Sequence, residues 1–222
     1  TTVEHVEVYA NNDDGFEWFG GMVSCKYLVA AFCKDDAFDL DQGWGGNGQF
    51  FFAIQDTVKA GDRAGEHDGH DDVVGAQPTS MPVIYNATYI GSGANAYPIY
   101  ENMVFKIRQN SSPTYKNSIF YDFPGTSSGV IIDVEDKDDP DSRDRMEAGD
   151  LVFSNNLWYE FGGGSTSWAD LIKSGQDYVQ THMEANNNRL QDPQIRGVGR
   201  LFNQTENNVL DPRPAPQSPA FT

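Results

Sequence analysis

An internal repeat of 22 residues constrains the fold of this chain more than any other feature. The segment 12–17, Asn-Asp-Asp-Gly-Phe-Glu, aligns with 34–39, Lys-Asp-Asp-Ala-Phe-Asp. The β-prone runs 6–9 and 28–31 fall in the same frame, and one more step of 22 reaches the strand-like run that starts at Phe50. Each unit therefore has a short strand, an Asp-rich turn, a second strand with Phe and a Gly-rich corner.

Units of this size cannot bury their apolar faces alone, so they coil and stack, and each strand pairs in parallel with its counterpart one turn away. We therefore predict an all-β protein with the fold of a right-handed parallel β-helix, or solenoid. Residues 1–161 are predicted to form its coils, with a loop insertion at 57–79 and an acidic loop at 133–150.

The remaining residues, 162–222, are predicted to form a helix and an extended Pro-rich tail that pack on the solenoid. One α-helix is expected at residues 167–183, where Ser167 and Asp170 form a capping pair. Apolar side chains recur there at helical spacing, which predicts that the helix caps an end of the solenoid or packs on its side: Trp168, Leu171, Ile172, Tyr178, Val179 and Met183.

The net charge excludes several classes of partner. Thirty-three acidic and fifteen basic residues give a formal charge of -18. Such a surface repels nucleic acid and anionic membranes, and it attracts divalent cations or basic partners. No apolar run approaches the roughly 20 residues that a membrane span needs. We expect neither nucleic-acid binding nor a membrane span.

Stacked aspartates favour a calcium site. Residues one coil apart lie about 4.8 Å from each other, so Asp13 is expected over Asp35, and Asp14 over Asp36. Carboxylates held that close repel one another unless a cation neutralises them, and Ca²⁺ takes six to eight oxygen ligands. The alternative is that these residues only shape turns. The predicted ligands are Asp13, Asp14, Asp35, Asp36, Asp39 and Asp41.

Aromatic and catalytic candidates are fewer. Phe16 is expected over Phe38 in the core, whereas Trp18 and Trp44, beside glycines, are the candidates for carbohydrate contact. If the chain is an enzyme, an inverting β-helix hydrolase would need a pair of carboxylates, a His and basic groups. The candidates for these roles are Asp13, Asp35, Asp36, His70, Lys106 and Arg108.

Other motifs leave alternatives open. Cys25 and Cys33 are either bridged, if the compartment is oxidising, or two buried free thiols. His67 and His70 lie in a polar stretch that is either a transition-metal loop or, more simply, a solvated one. Three N-glycosylation sequons suit a secreted protein, and their acceptors would be Asn86, Asn110 and Asn203.

The runs 6–21, 26–43 and 49–50 resemble the pectate-lyase-like β-helix proteins found on the surface of marine Bacteroidetes, and the closing segment 210–220 is similar to the end of those domains. The resemblance implies the β-helix fold and a secreted or lipid-anchored location. It implies no particular activity, because solenoids serve lyases, hydrolases, adhesins and structural fibres.

We therefore expect a noncatalytic extracellular module, stiffened by Ca²⁺, with a structural, adhesive or filament-forming role at the cell surface. The chain begins within a coil, so self-association through an open solenoid end is expected. The first alternative is a calcium-dependent polysaccharide lyase or glycoside hydrolase. The second is a noncatalytic module that binds a polysaccharide.

Overall fold

The structure is a computed structural model that describes residues 1–58, 61–70, 73, 75–96, 101–162, 167–200 and 209–222. Most of its elements are short strands. In chain order they are β1 (Thr2–Tyr9), β2 (Phe16–Gly21), β3 (Ser24–Ala31), β4 (Phe38–Trp44), β5 (Asn47–Gln49), β6 (Phe52–Ile54), β7 (Arg63–Asp68), β8 (Val83–Tyr85), β9 (Thr88–Ile90), β10 (Met103–Arg108), β11 (Thr114–Lys116), β12 (Ile119–Tyr121), β13 (Ile132–Val134), β14 (Val152–Ser154), β15 (Leu157–Tyr159), β16 (Arg189–Leu190), β17 (Ile195–Val198) and β18 (Leu210–Pro214).

Two parallel sheets run along the molecule. In sheet A, the long strand β3 pairs with β1 and joins two columns, one through β5, β8, β11 and β14, the other through β6, β9, β12, β15 and β16. Sheet B stacks β2, β4, β7, β10 and β13. Each coil thus contributes to both sheets, and this arrangement is the predicted right-handed parallel β-helix.

The repeat predicts the register of the first coils. Phe16 pairs with Phe38, and Val6 pairs with Leu28, both at the predicted offset of 22. The next coil contains one more residue, because Val29 pairs with Phe52, an offset of 23. Phe50, the start of the predicted third strand, instead occupies the corner between β5 and β6.

The corner between the two columns of sheet A has a left-handed backbone in successive coils. The residues there have φ between 54° and 58°, and they are His5, Tyr27, Phe50, Asn86, Asn117, Asn155 and Asn187. Asparagine is one of the few residues with a side chain that tolerates this conformation. The corner lets each coil bend between its two short strands without glycine.

Replacing Asn117 with alanine tests this corner. Asn117 is exposed and has φ 54°, so its substitution changes backbone strain without opening a cavity. We expect Asn117→Ala to cost about 1 kcal/mol of unfolding free energy and Asn117→Gly to cost less. Denaturant unfolding of the two variants checks this, and equal stability of alanine and glycine would contradict it.

The core between the sheets is rich in stacked rings. Phe16 stacks on Phe38 with ring centroids 5.6 Å apart, as predicted. His67 is fully buried among these rings, and one of its ring nitrogens hydrogen-bonds the Tyr115 hydroxyl at 2.8 Å. Burial lowers the pKa of His67 to about 3. His67 is therefore a neutral core residue, which corrects both sequence-based interpretations of it.

Two predicted loops contain regular structure. The stretch 57–79 includes β7, which pairs with both β4 and β10 in the middle of sheet B. Its polar sequence, Arg-Ala-Gly-Glu-His-Asp, does not predict a strand, because the outward residues are charged and the inward ones are small or aromatic. The predicted acidic loop 133–150 includes the end of β13 and helix α1 (Ser142–Ala148).

The C-terminal region also departs from prediction. The expected helix at 167–183 is two helices, α2 (Trp168–Leu171) and α3 (Asp177–Ala185), because Ile172 leaves the helix to form a parallel bridge with Ile132. The tail is not wholly irregular, since β18 pairs antiparallel with β17. Val198 and Leu210 pack on the outer face of sheet A.

No helix in the described part of the chain is both long and apolar enough to cross a bilayer.

Candidate functional site

Charged side chains form a ladder on the outer face of sheet B. Successive strands place one charged residue at the same register position, in the order Glu17, Asp39, Glu66, Lys106 and Asp133. Alternate residues of a strand face opposite sides of the sheet, so this ladder lies outside while the rings lie inside. Its first three members are acidic, and a lysine follows.

The acidic end of the ladder joins the Asp-rich turns. Carboxylate oxygens lie within 4.8 Å of one another in each of three groups. The predicted ligands Asp13, Asp14, Asp35, Asp36 and Asp39 all belong to these groups, whereas Asp41 belongs to none of them. The groups are Asp13 with Asp14 and Asp35; Asp14 with Glu17 and Asp39; and Asp35 with Asp36 and Asp62.

Two members of these groups, Glu17 and Asp62, were missed by sequence reasoning. Glu17 precedes Asp39 by one repeat of 22 residues, so the repeat frame contained the signal. Asp62 comes just before β7, a strand that the sequence did not reveal. Its position therefore required the tertiary structure.

Asp39 is the electrostatic centre of the acidic end. Its side chain is 8% exposed, and among the described residues its Oδ1 has no hydrogen-bond partner. Burial first, and then the charges of Asp14, Asp41, Glu66 and Asp68, raise the pKa of Asp39 to about 9. A neutral carboxyl or a bound cation are the two ways to relieve this repulsion.

One arginine neutralises the neighbouring carboxylates. The Arg63 guanidinium lies 3.3 Å from Asp36, 3.0 Å from Asp62, 3.1 Å from Glu66 and 2.7 Å from Glu101. Burial raises the pKa of Asp36, and Arg63 opposes that rise. The cluster of Asp35, Asp36 and Asp62 is therefore already neutralised in part by a cation of the protein itself, Arg63.

The basic catalytic candidates are also bound by carboxylates. Lys106 Nζ lies 2.6 Å from Asp133 and 2.7 Å from Glu135, and Arg108 pairs with both oxygens of Asp68 at 2.6 and 2.7 Å. Burial lowers the pKa of Lys106, but the hydrogen bonds and charges of Asp133 and Glu135 outweigh burial and raise it. The hydrogen bond and charge of Asp68 raise the pKa of Arg108. Both side chains are fixed cations, which is a poor state for a general base.

The other catalytic candidates lie apart. Asp13, Asp35 and Asp36 precede strands of sheet B, whereas His70 follows β7. A six-residue strand is about 20 Å long, so the structure places His70 at the far end of the sheet from these aspartates.

A groove lies beside the end of the ladder that is formed by Lys106 and Asp133. Its volume is about 980 Å³. The β10 and β13 strands form its floor, and the turn at 126–130 and the α2–α3 connection form its walls. Lys173 and Gln176, from that connection, each hydrogen-bond Asp133 at 2.7 Å. The groove is lined by Glu101, Met103, Lys106, Thr126, Ser128, Gly129, Val130, Asp133, Ala169, Asp170, Ile172, Lys173, Ser174, Gly175, Gln176, Asp177 and Gln180.

Neither tryptophan proposed for carbohydrate contact is a surface platform. Trp44 is fully buried, and its indole N–H donates to the Val23 carbonyl at 3.0 Å. Trp18 is half-buried and stacks on Trp44 with centroids 4.5 Å apart. The glycines that suggested exposure instead allow close approach: a Cβ at Gly46 would lie 2.6 Å from the Trp44 indole nitrogen. Trp44 belongs to the core and Trp18 packs against it, which corrects the prediction.

Cys25 and Cys33 are free, buried thiols. Cys25 lies near the start of β3 and Cys33 lies two residues beyond its end, and the two thiols are not bridged. Of the sequons, Asn110 is fully buried and accepts a hydrogen bond from Arg145, which excludes it as an acceptor in the folded chain. Asn86 stays a prediction, and Asn203 lies outside the described residues.

Comparison with known proteins agrees with this architecture. A family model described as a pectate-lyase like beta helix domain matches residues 1–191. No curated protein and no solved structure matches the chain. Since the matched residues include both stacked sheets, the chain belongs to the pectate-lyase like β-helix family.

Proposed function

We propose that this chain is a noncatalytic, extracellular adhesive module that binds a polysaccharide in the groove beside sheet B. The observation that carries the proposal is the groove itself, whose volume of about 980 Å³ is large enough for several sugar units. Thr126, Ser128, Ser174, Gln176 and Gln180 line it with hydrogen-bonding groups suited to sugar hydroxyls. Membership in a carbohydrate-related family supports the same ligand class.

A groove-filling substitution tests the site. Ser174→Trp places a large ring at the groove wall, whereas Thr181→Trp adds the same ring to an exposed position of α3 outside the groove. Affinity electrophoresis in gels containing acidic, neutral or amino-sugar polysaccharides should show retardation of the native chain. Ser174→Trp should abolish that retardation and Thr181→Trp should not. Equal behaviour of the two variants would place binding elsewhere.

The acidic end of sheet B is proposed to hold a structural Ca²⁺. Asp14, Glu17 and Asp39 offer three close carboxylate oxygens, which are the hard donors that Ca²⁺ prefers. The Asp39 Oδ1 atom, buried and without a hydrogen-bond partner among the described residues, supports the proposal because a cation would satisfy it. Bound there, Ca²⁺ would join the first two coils and stiffen the solenoid.

This site predicts an unusual pH dependence. In metal-free protein, thermal stability should fall as pH rises from about 4 to about 9, because folded Asp39 retains its proton up to a pKa of about 9 and unfolded aspartate loses it near 4. Asp68, with its pKa raised to about 7, adds to the same slope. Asp133, whose pKa is lowered despite burial by its hydrogen bonds to Lys106 and Lys173, contributes stability that is lost only as pH falls through the acid end of this range.

Calcium should reverse this loss, since it binds the ionised carboxylates. Adding about 1 mM Ca²⁺ should raise the melting temperature, and we expect this rise to be larger at pH 8 than at pH 5. Asp39→Asn should flatten the metal-free slope and remove the calcium response, while Glu184→Gln, an exposed change on α3, should alter neither. If Ca²⁺ does not change the melting temperature of the native chain at pH 8, the aspartates only shape turns and bind no calcium.

A polysaccharide lyase or hydrolase is the second candidate. The raised pKa values of Asp39 and Asp68 favour it, because a carboxyl that keeps its proton near neutral pH is suited to general-acid catalysis. Incubation with pectin, alginate and ulvan distinguishes the candidates. New reducing ends or unsaturated products that disappear in Asp39→Asn would replace the noncatalytic proposal with an enzymatic one.

Self-association and filament formation stay predictions. Strand β1 has one partner, β3, among the described strands, and Val3, Val6 and Tyr9 on it are exposed. Light scattering in calcium-containing buffer measures the oligomeric state, and monodisperse monomers would contradict a filament.

A further inference from the structure

The groove is lined by six charged residues, and their sum is negative. Four carboxylates face two lysines: Glu101, Asp133, Asp170 and Asp177 against Lys106 and Lys173. The whole chain has a formal net charge of -18, which adds a long-range electrostatic field of the same sign.

Both lysines of the groove already pair with carboxylates of the protein. Lys106 Nζ is held between Asp133 at 2.6 Å and Glu135 at 2.7 Å. Lys173 Nζ lies 2.7 Å from Asp133 as well. A uronate at the groove floor would compete with these carboxylates for the two lysines and would be repelled by them.

Two of the carboxylates, in contrast, have no ion-pair partner among the residues that the structure describes. Glu101 is paired with Arg63 at 2.7 Å, and Asp133 with the two lysines. Asp170 and Asp177 are exposed at the groove, and no described residue forms an ion pair with either. These two side chains lie on the wall formed by α2, α3 and their connection. They are the charges that an entering ligand meets.

We propose that the groove selects a polysaccharide bearing protonated amino groups, such as a glucosamine polymer, and excludes polyuronates. The inference rests on the proposed glycan-binding function and adds the ligand class. Hydroxyl groups of the sugar would bond the Thr, Ser and Gln side chains of the groove, and ammonium groups would lie against Asp170 and Asp177. Exposed pairs of this kind contribute up to about 1 kcal/mol each, or about fivefold in affinity.

The experiment compares three hexasaccharides that differ in charge. Titration calorimetry at about pH 5.5, where aspartate is ionised and the sugar amines are protonated, measures binding of glucosamine, N-acetylglucosamine and galacturonate hexamers. We expect the order glucosamine, then N-acetylglucosamine, then galacturonate, with at least about a threefold step between the first two. Acetylation removes the charge and keeps the chain, so it is the matched control for the ligand.

A double variant provides the control for the protein. Asp170→Asn with Asp177→Asn should lower the affinity for the glucosamine hexamer to that for the acetylated hexamer, so that the native preference disappears. Equal affinities of the native chain for these two hexamers, or tighter binding of galacturonate, would overturn the ligand class but not the glycan site. No binding of any polysaccharide in the gels or hexamer in solution would overturn both.

Discussion

Phe105→Ala is expected to lower the free energy of unfolding by about 3 to 5 kcal/mol. Phe105 is fully buried on the inner face of sheet B. Its ring meets rings from both columns of sheet A, with centroid distances of 4.6 Å to Tyr115, 5.1 Å to Phe120 and 5.3 Å to Phe153. Strands in three successive coils surround it, so the backbone cannot collapse easily into the space that alanine would leave.

The matched control is Phe19→Ala. Phe19 lies on the same sheet, but its side chain is 62% exposed. The same truncation there creates no cavity, and we expect a change within about 0.5 kcal/mol. Urea unfolding followed by circular dichroism gives both values. A Phe105 variant as stable as the Phe19 variant would mean that the rings between the sheets do not form the continuous core described above.

Arg63→Met is expected to cost about 3 to 5 kcal/mol near pH 8. Methionine retains the apolar stem but removes the cation that Asp36, Asp62, Glu66 and Glu101 share. Of these four carboxylates, Glu66 keeps a second partner, Arg108, at 3.1 Å. Asp36 is only 2% exposed, and without Arg63 its ionised form would be buried with like charges around it. The cost of the substitution is therefore mainly electrostatic.

The pH dependence of this cost identifies its origin. Removing Arg63 raises the folded-state pKa of Asp36 further, so the carboxyl takes up a proton as pH falls and the destabilisation should shrink from pH 8 to pH 5. Arg213→Met, which removes an exposed arginine paired with Asp211, is the control and should leave the denaturation midpoint unchanged at both values. A cost for Arg63→Met that is independent of pH would point to lost packing instead.

Much of the acidic site could be predicted from the repeat. A period of 22 residues puts Asp14 over Asp36 and Glu17 beside Asp39, and the alternation of a strand sends Asp39 outward. The degree of burial could not be predicted, because it depends on Arg63 and Glu66, which enter from β7. That strand is too polar to be recognised locally, and only its pairing with β4 and β10 makes it a strand.

The groove was not predictable from local sequence. Lys106 and Asp133 are neighbours because β10 and β13 pair, while Lys173 and Gln176 reach Asp133 from about forty residues away. The burial of Trp44 was also not predictable from local sequence. Glycines beside it suggested an exposed ring, yet those glycines permit the close backbone approach that buries it.

The sequence by itself determined the parallel β-helix, the register of its first coils and the stacking of its aspartates, because a repeat fixes which residues lie one coil apart. The tertiary structure alone decided which charges are buried, which cations are already paired, and where a groove opens. Those properties depend on contacts between segments that the repeat does not relate. Arg63 and Lys173, for example, pair with carboxylates that are distant from them in sequence, Asp36 and Asp133.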